Sequence, residues 1–297
     1  MTSEPIARPW PRLRVADWAD TRDTLHLWTQ IVGKIRMAYA PPVNHWWHVT
    51  LYPSARGLTT SAVPHPDGVF ELEFDFVDHQ LHVRTSDGGA RDVRLEPKSV
   101  ATFYGETLDA LAALGLRPRI HPAPNEVELA IPFAEDTQHT AYDGAAAHRF
   151  WQQLLHADRV LTRFRSEFVG KASPVHFFWG AMDLAYTRFS GRIAPPHPGG
   201  APNCPPSVMH EGYSHELASF GFWPGGGAEG AFYAYAYPEP PGYGERTKAY
   251  YDEKLNECVL PYETVADAAD PEATLLEFLR TTYTAAADLA RWEVAGS

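Results

Sequence analysis

Residues 173–180 read Ser173-Pro174-Val175-His176-Phe177-Phe178-Trp179-Gly180, and residues 42–48 read Pro42-Val43-Asn44-His45-Trp46-Trp47-His48. In each stretch a helical pattern ends, proline stops it, and a histidine opens a run of aromatic residues that reads as a strand. Two such junctions in one chain suggest a tandem duplication centred on them.

Working outward, the same order of signals recurs. Leu25, Trp28, Val32, Ile35 and Tyr39 follow the i, i+3/i+4 spacing of one buried face and predict a helix over 21–39. Strands are expected over 46–52 and 56–63. Residues 69–77 alternate cleanly, with Phe70, Leu72, Phe74 and Phe76 on one side and Glu71, Glu73 and Asp75 on the other, as in a half-buried antiparallel strand. A return strand and a short strand ending at Leu95 follow, and Ser99 caps a helix running to Gly115. The second half repeats this order: a helix opened by Asp143, the aromatic strand, strands matching 57–64 and 68–75, and a last helix capped by Asp270 with Pro271 in its first turn.

The expected fold is therefore α+β, a tandem duplication of a helix–four-stranded antiparallel sheet–helix unit forming one pseudo-twofold body. Its parts are an N-terminal arm laid along the surface (1–17), a first repeat (18–116), a connector (117–142) with short strands over 119–121 and 126–131, and a second repeat (143–292). The second repeat carries a Pro/Gly-rich loop insertion (190–213) that the first lacks. Phe70, Leu72, Phe74, Phe164, Phe168, Leu275 and Phe278 are the expected core.

Composition narrows the function class. The 297 residues are 44% hydrophobic, 21% charged and 13% aromatic, with nine tryptophans and a net charge of −12. This is globular composition. No basic stripe offers a phosphate-binding surface, so no nucleic-acid partner is expected. No run approaches the ~18 apolar residues of a membrane span, and residues 1–13 hold no apolar signal core. The two cysteines, Cys204 and Cys258, form no CxxC pair and read as reduced thiols. A cytoplasmic protein with no membrane partner is expected, of undetermined oligomeric state. No phosphate loop, dinucleotide fingerprint, GxSxG elbow or kinase set is present, so no nucleotide cofactor is implied.

The candidate chemistry is in the histidines. His45 and His176 hold matching places in the two junctions, where a pseudo-twofold brings residues together. His210-Glu211 and His215-Glu216 flank Gly212 at a spacing of five, which is not the zinc-protease motif. Imidazole and carboxylate suit a divalent metal, and His176, His210, His215 and Glu216 are the metal candidates. His176, His215, Glu216 and His45 are the candidate catalytic residues, since imidazoles serve acid–base work near neutral pH. Trp46, Arg56, Phe178, Trp179, Arg192 and Trp223 are the expected ligand-binding residues of an aromatic pocket between the halves. Lys171 and His210 are further polar groups there. The swap from Glu71, Glu73 and Asp75 in the first half to Tyr233, Tyr235 and Tyr237 in the second suggests that the second sheet's face is covered or binds something flat and apolar. The insertion is expected to fold back over the aromatic strand, bringing His215 or His210 to His176 or Arg192.

Residues 25–36, 44–48, 173–180 and 192–200 together resemble a bacterial family filed under a domain of unknown function. The resemblance spans nearly the whole chain and implies one family along it. It implies no activity, cofactor or catalytic residue. Two readings stand: binding of a small, partly apolar molecule in an aromatic and histidine-lined pocket, by an enzyme or otherwise, and a non-catalytic interaction module whose aromatics are core.

Overall fold

A computed structural model describes residues 9–293. The expectation of a surface arm falls partly on residues 1–8, outside the described residues. The rest of the arm differs from it: Trp10 and Leu13 are buried, and Trp10 packs on His156, Phe232 and Tyr262.

The chain is mixed α+β. Helix α1 (Val15–Tyr39) precedes strands β1 (Tyr52–Pro53), β2 (Gly57–Thr59), β3 (Val63–His65), β4 (Gly68–Asp75), β5 (Gln80–Thr85) and β6 (Ala90–Arg94), which α2 (Val100–Ala113) follows. Helix α3 (Gly144–Ser166) then precedes β7 (His176–Phe178), β8 (Asp183–Ile193), a short α4 (Pro206–Gly212), β9 (His215–Trp223) and β10 (Ala231–Tyr237). After α5 (Tyr243–Arg246) come β11 (Tyr251–Asp252), β12 (Glu257–Pro261), α6 (Tyr262–Ala266) and α7 (Pro271–Leu289). Each sheet has six antiparallel strands rather than four. The first is ordered β1-β2-β4-β5-β6 with β3 also on β4, and the second β11-β12-β10-β9-β8-β7. The connector forms no strand. It is coil with one 3-10 turn (Phe133–Glu135), because its prolines and Asn125 break any ladder.

The first sheet turns Phe70, Leu72, Phe74, Leu81 and Val83 inward, and Trp28 of α1 stacks on Phe103 of α2 with ring centroids 4.5 Å apart. Ser99 and Asp143 cap α2 and α3 through bonds of 3.0 Å to Thr102 N–H and 2.8 Å to Ala145 N–H. The second sheet is covered on one face by α3 and α7, where Phe164, Tyr186, Phe220 and Tyr283 meet edge to face. Phe168 lies beyond the end of α3 and is only half-buried, unlike the other expected core residues.

The two sheets meet at their edges. Leu51 N–H donates to the Phe177 carbonyl at 2.9 Å and Phe177 N–H to the Leu51 carbonyl at 2.7 Å. The first aromatic junction reaches this bridge by a route other than a strand. Residues 44–46 form a 3-10 turn in which His45 and Trp46 have φ of 59° and 61°. Bulky residues adopt that left-handed backbone only when surrounding bonds impose it. Here the Arg36 guanidinium donates to the carbonyls of His48 (2.9 Å) and Thr50 (2.6 Å) and holds the turn against α1.

Candidate functional site

The second sheet's other face is left open by α3 and α7. Alternation along β8 sets Asp183, Ala185, Thr187 and Phe189 on it. Cross-strand register adds Gly221, Ser219 and Leu217 of β9 and then Tyr233 and Tyr235 of β10. All of these but Gly221 floor a cavity of about 510 Å³, of the size that accepts a small molecule.

Three segments roof it: the turn carrying His45, Trp46 and Trp47, the connector at His121, Asn125 and Glu126, and the insertion from Asn203 to α4. Side chains stitch them together. Trp46 Nε1–H donates to the Val208 carbonyl (3.2 Å), Asn125 Nδ2–H to the Asn203 carbonyl (2.6 Å), and Glu126 N–H to the Pro202 carbonyl (2.8 Å). The connector is anchored below by Gln30 of α1. Gln30 accepts from Asn125 N–H and donates to the Asn125 carbonyl, both at 2.8 Å.

Aromatic rings dominate the walls: Trp46, Trp47, Phe178, Trp179, Phe189, Tyr213 and the two floor tyrosines. Trp179 is fixed by an Nε1–H bond of 2.8 Å to the Val49 carbonyl. His26 Nε2–H donates to the carbonyls of Trp179 (3.0 Å) and Gly180 (2.8 Å) and sets the turn that follows. Hydroxyls join across the floor, Tyr213 to Tyr235 at 2.8 Å and Thr187 to Ser219 at 3.0 Å.

Carboxyl groups share this enclosure. Glu126 keeps an accessible side chain, but the protein around it desolvates the carboxyl and pushes it up to about 7, and the charge of Asp183 adds to it. Burial raises Asp183 to about 6, offset in part by the Tyr233 hydroxyl, which donates to it. Glu257 of β12, beyond the floor tyrosines, is raised to about 7 by burial and by Asp183. The Glu126 carboxylate fills the space that a side chain at residue 180 would take, since a Cβ on Gly180 would stand 2.0 Å from its Oε1. The cavity's lysine, Lys34 of α1, donates to the Asn125 side-chain carbonyl and lies 5.6 Å from the Trp179 ring centroid. Burial lowers its pKa to about 8. His45 donates Nδ1–H to the Gly212 carbonyl (3.1 Å) and accepts at Nε2 from the Lys171 ammonium (2.8 Å), an arrangement that holds the ring neutral. Burial likewise lowers its pKa. Two carboxyls poised around neutrality in a partly closed space can exchange a proton with a ligand or hold a positive charge.

Residues 10–297 match a family described only as one of unknown function, DUF5996. The chain belongs to this family. No curated protein and no solved structure matches it.

The placement of the expected site residues in this DUF5996 chain is mixed. Trp46, Phe178, Trp179 and His45 line the cavity. His215 is beside His45, ring centroids 5.8 Å apart, at the start of β9 and outside the lining. His210 is exposed on α4. His176 is fully buried under Trp47 and Tyr52, with Nδ1 3.2 Å from the Thr50 hydroxyl. Arg192 pairs with Glu216 at 2.6 Å and caps the C-terminus of α7 through the carbonyls of Ala290 and Arg291. Arg56 lies in the turn between β1 and β2 of the first sheet. Burial alone would raise its partner Asp75, but Arg56 and the N–H groups of Val77 and Asp78 hold that carboxyl at about 2. Trp223 is exposed beside Gly225 and Gly226. The insertion does fold over the second sheet, and His215 sits opposite Ile193, beside Arg192, whereas His176 packs on Trp47, Tyr52 and Phe178 and not on His210 or His215. Among the described residues no three of His, Cys, Asp and Glu gather as a metal cluster, and none of the helices is long and apolar enough to cross a membrane. Cys204 and Cys258 are both free. Sequence reasoning missed Lys34, Asn125, Glu126 and Asp183. Asp183 carried a signal, an acid at the head of an otherwise uncharged strand face. Glu126 carried none.

Proposed function

We propose that the chain binds a small, partly apolar molecule in the cavity between the second sheet and its roof. The observation that carries this reading is the enclosure itself: about 510 Å³, aromatic-walled, with its floor set by strand register and its roof tied down by the bonds of Trp46, Asn125 and Gln30. Glu126 and Asp183 suit general acid–base work if the ligand is transformed, because groups that titrate near the working pH transfer protons best.

Ligand-observed NMR with a set of phenyl-bearing fragments tests it. Fragments should bind the wild type. The roof variants Val208→Trp and Met209→Trp fill the space from half-exposed positions, so they should abolish binding with little change in melting temperature. Absence of binding, or binding indifferent to both variants, would overturn the reading.

The two halves are read as copies of one helix–meander–helix unit, a reading supported by the repeated element order and the edge bridge at Leu51 and Phe177. A reducing, cytoplasmic setting is supported by the two unpaired thiols.

A further inference from the structure

We propose that the cavity selects a cation: a small amine or quaternary ammonium whose charged head is held by Glu126 and Asp183 and whose apolar body lies against the tryptophans of the wall. This rests on the small-molecule reading above and adds the charge and class of the ligand.

The first ground is an imbalance of charge. Asp183 is buried, and a buried carboxylate is ordinarily paired, because leaving water without a partner is costly. Among the described residues neither Glu126, Asp183 nor Glu257 has a cationic partner within ion-pair distance. Asp183 accepts one hydroxyl bond from Tyr233, and Glu126 accepts none. The cations nearby are committed elsewhere. Lys34 is bonded to Asn125, and Lys171 is bonded to His45 at 2.8 Å. His45 is neutral by its bonding. An external cation would meet the carboxylates' need without displacing any protein bond.

The second ground is independent of the acids. The walls are π faces, and a cation over Trp or Tyr within about 6 Å gains electrostatic attraction on top of apolar burial. The wall already shows this preference with its own side chains. Lys34 lies 5.6 Å from the Trp179 ring centroid, and Lys171 lies 5.8 Å from Trp47 and 5.0 Å from Phe189. An anionic ligand would face the same ring faces and two carboxylates. Gly180 leaves open the space that the Glu126 carboxylate occupies.

The test uses four probes of similar size on the full chain at pH 8: benzylamine, benzyltrimethylammonium, benzyl alcohol and benzoate, titrated by NMR or calorimetry. Expected are affinities for the two cations at least tenfold above benzyl alcohol, with benzoate weakest. Glu126→Gln, on the coil connector and isosteric, should bring the preference of cation over benzyl alcohol to within about threefold. Asp183→Asn, which keeps an acceptor for Tyr233, should do the same. Equal binding of the alcohol and the cations, or a preference for benzoate, would overturn the cation proposal and leave a small-molecule site. Failure of all four probes to bind would count against both. A preference for cations that survives both variants would overturn the role of the carboxylates.

Discussion

A proton on His176 would bring a charge into a site with nothing to receive it. Its Nε2 is buried without a partner, its Nδ1 meets the Thr50 hydroxyl at 3.2 Å, and the rings of Trp47, Tyr52 and Phe178 close around it. Burial, with Arg36 nearby, therefore lowers its pKa from 6.5 to about 3. The unfolded chain takes up a proton below pH 6.5 that the folded chain refuses, so this residue removes stability as pH falls from 6.5 towards 3. In urea titrations His176→Phe should show a shallower loss across that window than wild type, and parallel curves would mean that the ring titrates in the fold. His176→Ala should cost about 2–4 kcal/mol, as large-to-small changes in a core do, and a change below about 1 kcal/mol would contradict a structural role. Glu126 has the opposite sign. Its folded pKa is raised from 4.5 to about 7, so its contribution is full below 4.5 and is lost as pH rises to 7. The stability of Glu126→Gln relative to wild type should therefore grow between pH 4.5 and 7 and then level off. Lys34, His45, His121, Asp183, Cys204, Tyr213, Tyr233 and Tyr235 face the same space, with Glu257 beyond the floor tyrosines, but they are common to both proteins and largely cancel in the difference. A difference that is flat with pH would mean that the fold does not desolvate the Glu126 carboxyl.

At the scale of elements, α1 carries more of the site than its periodicity suggests. Gly33 lies against the Trp179 indole, where an added Cβ would stand 2.1 Å from the ring. Trp179 is buried and bonded to Val49, so it has little room to move. Gly33→Ala favours the helix by about 1 kcal/mol but overpacks this contact, and a net loss of about 1–3 kcal/mol is expected. A stabilised variant would show that the indole can shift. Strand β4 was legible because its alternation is local, and the caps at Ser99, Asp143 and Asp270 were legible because capping chemistry is local. The turn at His45 and Trp46 was not. Its left-handed backbone is imposed by Arg36 and by bonds to α4 more than 150 residues away, against the aromatic residues' own preference for strand. The aromatic half of the cavity could be read because Trp46, Phe178 and Trp179 sit in motifs. The carboxyl half could not, because Glu126 reaches the site through a coil whose position depends on Gln30 and Pro202.

Across the whole molecule, contacts between the halves outnumber what a simple linker would provide. Besides the Leu51–Phe177 bridge, Trp18 of α1 packs on Phe150 of α3 at 5.1 Å, Thr21 accepts from Asp143 N–H at 3.0 Å, and Trp151 Nε1–H donates to the Ser54 carbonyl at 3.0 Å. Trp10, ahead of the first helix, is buried against the second half. A core shared in this way should unfold as one unit, since neither half can open without exposing the other's apolar face. Tryptophan fluorescence and far-ultraviolet dichroism should therefore report a single, coincident transition in urea. Hydrogen exchange adds a sharper test. Leu51 and Phe177 donate the two bonds that join the sheets, so their amides should exchange with the slow class of β9 and β10 rather than with the edges they formally occupy. Two separated transitions, or fast exchange at these two amides beside a protected β9, would mean that the sheets are neighbours that open independently. The cavity roof, drawn from the first half and from the insertion, would then be loose as well.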